Sequence, residues 1–353
     1  MKETLSSISQ RLGISTATIS RVLSGNAKKY RISEKTAAIV TAEASRCHYI
    51  PSLAAQSLRT NKTKTIGLLM PKLSNPYFAD ISSAIISEAN SKGYTAIIAD
   101  TMENVEVQKD CISALLSRKV DGIIAAPCGN DSKIFKEINA RIAPVVLIDR
   151  YFEDATISYV TSNNYKGAFD ATSLLINNGH KNIVCIQGDE ASLPNKKRVG
   201  GYLDALSTAG LQDNARILGN AFSIQNGYLE TKLLLSSSSN RPSAIFALSY
   251  TILLGVIKAI KEASLVIPDD ISIISFDDNI SLDYMTPSIS RVGQPTEEMG
   301  QLAAKMLFNK LNDNDTNELV SHIELSTELL IRKSVIKNNG ADEDKDKDKN
   351  EDK

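Results

Sequence analysis

The sequence predicts two kinds of structure in one chain: a small all-α helix-turn-helix head, then an α/β body of two doubly wound parallel-sheet lobes. Three observations predict it. Residues 12–23, LGISTATISRVL, combine a glycine turn with the one-sided apolar spacing of the second half of a helix-turn-helix. From Thr65 onward, short apolar runs alternate with stretches of helical periodicity, the pattern of parallel strands covered on both faces. Charge is divided between the two parts: residues 1–65 hold eleven Lys and Arg against three Glu, a balance of +8, so that with −1 overall the remaining 288 residues carry −9. A cationic head on an acidic body is the footprint of a protein that meets a polyanion with one end.

In the head, Thr4 is placed to cap a first helix running to about Leu12, with Leu5, Ile8 and Leu12 on one face. Gly13 supplies the backbone freedom of a tight interhelical turn, and Ser15 caps the next helix. On that helix Ile19, Val22 and Leu23 turn toward the first. Its other face carries Thr16, Ala17, Ser20 and Arg21, short enough to let a helix sink into the major groove, with an arginine that reaches guanine bidentately. Ser24-Gly25-Asn26 ends the helix. The loop Lys28-Lys29-Tyr30-Arg31 offers three positive charges to phosphates or to solvent, and Ser33 caps a third helix ending near Cys47. Residues 51–59, PSLAAQSLR, form a helix candidate of one to two turns with Ser52 as cap, too short to repay nucleation unless something packs against it. Residues 61–64 are a short polar linker.

In the body, strands are expected at 65–71, 94–100, 121–127 and 144–149, with helices near 76–92, 104–119 and 131–141. A second set follows, with strands at 182–188, 243–248 and 271–277 and helices near 163–178, 197–210, 226–236 and 251–263. Two such lobes leave a cleft between strand C-termini, a ready ligand site. With 42% hydrophobic and 23% charged residues the chain has an ordinary soluble composition. No apolar run approaches the ~18 residues that cross a bilayer, and no apolar signal segment opens the chain, so cytoplasmic residence is expected. Cys47, Cys111, Cys128 and Cys185 stand far apart, indicating small buried residues rather than a disulfide framework or zinc site.

Residues 4–65, from TLSSISQRLGISTATISRVLSGN through ISEKTAAIV to YIPSLAAQSLRTNKTKTIG, closely resemble the head and hinge of the LacI/GalR family of bacterial transcription repressors. The resemblance implies that Thr16, Ala17 and Arg21 read bases while Thr18 and Ser20 lie nearer the phosphates. It implies too that the hinge, with Ala55 and Leu58, meets the minor groove, where Leu58 wedges into a base step and kinks the DNA. The loop before Ser33 is about three residues longer than the family pattern. To about Ser334, past the strand-like HIELSTELLIRKS, the body resembles the periplasmic-binding-protein-like fold that the family fuses to its head. The expected organisation is a head at 1–50, a hinge at 51–64, a two-lobed effector and dimerisation domain at 65–338, and a disordered charged tail at 339–353 without the leucine heptads of a coiled coil. The implied partners are a pseudo-palindromic double-stranded DNA operator, a second copy of the chain and a small-molecule effector.

Recognition of a polyol needs planar carboxylate, amide and guanidinium groups for adjacent hydroxyls, and aromatic faces for the C–H surface of the ring. Asn75-Pro76-Tyr77-Phe78 follows the first strand, and Asp149-Arg150 ends the fourth. Arg198, Phe222, Asp277 and Gln294 match family cleft positions in the second half. Two positions depart from the pattern: Ser249-Tyr250 stands where the family commonly has Asn-Asp, and Asn163 where it has Asp. The set points to a sugar or sugar derivative, with a nucleobase as the alternative. A transport solute-binding protein would share the body but has no use for the head. An α/β enzyme finds no support: GxSxG, GxxxxGK and a GxGxxG after the first strand are absent, the histidines are His48, His180 and His322, and no cofactor is implied.

Overall fold

The computed structural model describes residues 3–49, 62–154, 156–236, 241–312 and 320–338. Its chain divides into two compact units, residues 1–63 and 64–353. The expected hinge helix, with Ala55 and Leu58, and the charged tail lie outside the described residues.

Among the described residues the head is three helices, α1 (Leu5–Leu12), α2 (Thr16–Leu23) and α3 (Glu34–Arg46). Each begins where a hydroxyl satisfies an orphan N–H: Thr4 accepts from Ser7, Ser15 from Thr18 and Ser33 from Thr36. Gly13 ends α1 with φ 65°, the left-handed conformation the turn requires. Ile8, Ile19, Val22, Val40 and Ala44 bury one shared core. Across it Glu43 of α3 binds Arg11 of α1 at 2.7 Å and its neighbour Arg46 at 2.8 Å. The loop after α2 is a compact turn, closed by Tyr30 N–H to Asn26 O and Ile32 N–H to Ala27 O.

The body contains two six-stranded sheets, ordered β11-β5-β4-β3-β1-β2 and β12-β10-β9-β8-β6-β7. The first lobe is built from β1 (Thr65–Met70), α4 (Pro76–Ser91), β2 (Thr95–Asp100), α5 (Val105–Ser117), β3 (Gly122–Ala125), α6 (Lys133–Arg141), β4 (Val145–Ile148) and β5 (Ser158–Ser162). The chain then enters the second lobe with α7 (Asn164–Asn177), β6 (Ile183–Ile186), α8 (Leu193–Thr208), β7 (Arg216–Leu218), α9 (Ile224–Ser236), β8 (Ala244–Ala247), α10 (Tyr250–Glu262), β9 (Ser272–Phe276) and β10 (Ser290–Gly293). It returns to the first lobe for α11 (Thr296–Asn312) and β11 (His322–Leu325), and ends in the second with β12 (Glu328–Leu330). The strand pairs are parallel except β10 with β12. Helices α4 and α11 cover one face of the first sheet through Ile81, Ile85, Met299 and Leu307, and Ile112, Leu115, Phe135 and Ile138 of α5 and α6 cover the other. Helices α9 and α10 pack on one face of the second sheet, α7 and α8 on the other.

The doubly wound lobes match the expectation, but β5, β7, β10 and α11 are elements that the sequence pattern does not announce. HIELSTELLIRKS, which reads as one strand-like run, is two strands in different sheets. The reason is the same for three of the strands. Strands β5, β10 and β11 feed the three crossings between lobes, at 162–164, 293–296 and 325–328, so their ends carry polar and small residues instead of long apolar runs. The cysteines also divide: Cys128 and Cys185 are buried, whereas Cys47 and Cys111 are partly exposed. Among the described residues no cluster of three His, Cys, Asp or Glu is placed for a metal, and no helix is long and apolar enough to cross a membrane.

Candidate functional site

Both lobes aim their strand C-termini into one cleft, whose cavity is lined by Asn75, Tyr77, Phe78, Asp149, Arg150, Arg198, Phe222, Ser249 and Asp277 among others. Nine of the ten residues singled out as ligand contacts therefore line it. The tenth, Gln294, lies behind: its amide N–H donates to Asp277 Oδ1 at 2.6 Å, and its carbonyl accepts from the Ser162 hydroxyl and stands 3.2 Å from Tyr77 Oη. Gln294 ties two interlobe crossings to an aspartate of the cleft.

Tyr77 donates to Asp149 Oδ1 at 2.7 Å, and burial raises the Asp149 pKa from its ordinary value. Arg198 is held by Asn164 Oδ1 and the Leu248 carbonyl, each at 2.7 Å, lies 3.6 Å from Asp277 and covers the Phe276 ring at 3.8 Å. So held, Arg198 keeps a fixed position in the lining of the cavity. Asp149 and Asp277 adopt φ 63° and 76°. Left-handed backbone is strained for a non-glycine residue and persists where surrounding structure enforces it, here at strand ends that turn the carboxylates inward.

Arg150 does not pair foremost with its neighbour Asp149, from which its Nε stands 3.9 Å, but binds Glu103 bidentately at 2.7 and 2.8 Å. Burial opposes its charge, and the Glu103 carboxylate outweighs burial and raises its pKa. The rings of Phe78 and Phe222 stand 5.9 and 5.8 Å from it. Phe222 lies across Gly188, where an added Cβ would fall 2.3 Å from the ring. The two departures from the family pattern have different consequences. Ser249 lines the cavity while its hydroxyl caps α10, accepting from Ile252 N–H at 3.2 Å. Asn163 caps α7 and is not among the residues lining the deep cavity.

Lys72, Glu103, Ser192 and Pro194 also line the cavity and were not anticipated. Glu103 was within reach of sequence reasoning, because it lies just past the end of β2 and strand C-termini form the ligand crevice. The lining contains three cationic side chains (Lys72, Arg150, Arg198) and three carboxylates (Glu103, Asp149, Asp277), so it is formally neutral. Alternating planar donors and acceptors between aromatic faces suit an uncharged, hydroxyl-rich molecule.

In the head, Thr16, Ala17 and Arg21 are exposed on one face of α2, with Thr18 and Ser20 half-buried beside them. Arg21 is backed by an aromatic: its guanidinium sits 4.2 Å from the centroid of the Tyr30 ring, which comes from the longer loop.

Residues 172–335 match the periplasmic binding protein-like domain family. Over 94% of its length the chain is 30% identical to the HTH-type transcriptional repressor PurR of Photobacterium profundum, of which it covers 98%. It is 32% identical to the ribose operon repressor of Haemophilus influenzae, again across 94% of this chain and 98% of that one. Its backbone is similar to the lac repressor dimer bound to operator and the anti-inducer ONPF, with a TM-score of 0.83 over 95% of this chain and 100% of that one; at 24% identity this is a likeness of fold. Helix-turn-helix head, two-lobed body and end-to-end similarity to repressors agree, and the chain belongs to the LacI/GalR family of bacterial transcription repressors.

Proposed function

We propose that this regulator works in the cytoplasm as a homodimer on a pseudo-palindromic operator and that its cleft binds a sugar or sugar derivative. The observation that carries the ligand assignment is the neutral cleft in which Asp149, Arg198 and Asp277 are fixed by buried hydrogen bonds beside aromatic rings. The name of the ribose repressor relative supports a sugar. In this reading the body binds and does not catalyse. Thr16, Ala17 and Arg21 read bases, Thr18 and Ser20 meet phosphates, and Ala55 and Leu58 belong to a hinge that forms only when two copies and the duplex meet. Ligand changes operator affinity because it binds the two lobe arrangements unequally, a coupling typically of ~1–3 kcal/mol.

The test is a footprint on the DNA upstream of the chain's own coding sequence, with calorimetry against sugars and nucleobases. A protected palindrome whose occupancy shifts with a sugar, recovered chemically unchanged, supports the reading. Binding of adenine or guanine and of no sugar overturns the ligand assignment, and a monomer with no preference for any duplex overturns the rest.

A further inference from the structure

Between α2 and α3 the chain makes a compact turn whose ends are anchored and whose tip is cationic. Asn26 N–H donates to the Arg21 carbonyl at 2.9 Å, Arg31 N–H to that of Lys28 at 3.1 Å and Ile32 N–H to that of Ala27 at 2.9 Å. Ala27 and Ile32 pack against the core of the head, and the four residues between them, Lys28, Lys29, Tyr30 and Arg31, are exposed. Arg31 takes φ 53°, a left-handed backbone that a non-glycine residue keeps only where its surroundings enforce it.

The charge on this tip has no partner of opposite sign. Residues 4–33 contain no Asp or Glu, and Glu3 and Glu43 are taken up by Arg11 and Arg46. The nearest acid in sequence is Glu34, and among the described residues neither it nor any other carboxylate forms an ion pair with Lys28, Lys29 or Arg31. Three cations so close in sequence repel one another until an anion reaches them, and the anchors of the turn have already met much of the cost of ordering it. The Tyr30 ring lies 4.2 Å from the Arg21 guanidinium, which ties the tip to the face of α2 assigned to base reading. A helix seated in a major groove about 12 Å wide has phosphates along both walls, within reach of long side chains carried beside it.

We propose that this turn is a second DNA-binding element: Lys28, Lys29 and Arg31 grip the phosphate backbone beside the groove that α2 enters, adding sequence-independent contacts to the bases α2 reads. This rests on α2 as the reading helix and adds a surface to it. The test uses the full chain and a duplex that it selects from a random-sequence pool, with affinity read by fluorescence anisotropy across a potassium chloride series. Neutralising the tip with Lys28→Gln, Lys29→Gln and Arg31→Asn, asparagine being tolerated in left-handed backbone, removes three contacts, each contributing about 0.9 to the slope of log affinity against log salt. From about 50 to about 200 mM salt the parent should therefore lose about fortyfold more affinity than the triple variant. Ethylation interference on the same duplex should lose about two or three phosphate positions in the variant while the bases protected from methylation stay the same, a separation that a misfolded head would not give. A slope within about half a unit of the parent's, or an unchanged set of interfering phosphates, shows the three charges to be merely solvated and overturns the proposal. Loss of the base pattern along with the phosphates also overturns it, because the turn would then support α2 instead of gripping the backbone. A chain that selects no duplex overturns the reading of α2 and the proposal together.

Discussion

Arg21 shows how one residue's chemistry depends on another far along the loop. A free arginine must be ordered before it can form its paired hydrogen bonds, and the Tyr30 ring beneath it does part of that ordering in advance. An exposed cation–π contact contributes about 0.5–1 kcal/mol, so Tyr30→Ala should weaken operator binding about two- to fivefold, read by fluorescence anisotropy at fixed salt. Arg21→Ala should cost more, about 1–3 kcal/mol, and relax base preference as well. If Tyr30→Ala binds like the parent, the stacking has no part in recognition. In the cleft, Gly188 has an equally specific duty. Any side chain there collides with Phe222, so Gly188→Ala should push the ring from the cavity and lower effector affinity about tenfold while leaving effector-free operator binding intact. Calorimetry and anisotropy together separate those two effects.

Among the elements, α9 and α10 meet through reciprocal glycines. A Cβ on Gly227 would fall 2.1 Å from the Ile252 carbonyl, and one on Gly255 would fall 2.1 Å from the Ile224 carbonyl. Backbone cannot yield as a flexible side chain does, so Gly227→Ala should destabilise the second lobe by about 1–3 kcal/mol or more, seen as a lower midpoint in thermal or urea unfolding. In the head, α1 and α3 are joined by Glu43, whose bonds to Arg46 and Arg11 bring its pKa from the ordinary 4.5 to about 2. A carboxylate with a depressed folded pKa stabilises above its unfolded value and loses that contribution as pH falls through the folded one. The stability of the head should therefore decline between pH 4.5 and about 2. Glu43→Gln should flatten that decline in circular-dichroism melts; a decline of unchanged depth would show that Glu43 is not its source.

At the scale of the whole molecule the three interlobe crossings are, in the proposed reading, what a ligand acts upon. Gln294 connects Ser162 of the first crossing, Tyr77 of the first lobe and Asp277 of the second, so a ligand that replaces any of these bonds changes how the lobes are held together. The proposed output is the hinge at 51–64. Leu58→Ala should lower specific operator affinity, about tenfold or more if the wedge repays a kink of a few kcal/mol, while calorimetric effector affinity stays that of the parent. A parallel fall in both would remove Leu58 from the DNA interface.

Periodicity, capping residues and the change from helical to strand-like spacing made the three head helices, four strands of the first sheet and the three central strands of the second legible in the amino-acid order, because these depend on neighbours within a few positions. Asp149 and Asp277 at strand ends, and Arg198 on α8, were legible as a set because they match a family pattern. Partnerships between residues distant along the chain were not legible: Arg150 with Glu103 in place of Asp149, Gln294 behind the cavity, Ser192 left unpaired, Tyr151 stacked on Tyr159. The polar strands at the crossings were hidden for the same reason. Local spacing records which face of an element is buried, but the identity of a side chain's partner across the cleft is set by how two lobes, threaded three times through one seam, come to face each other.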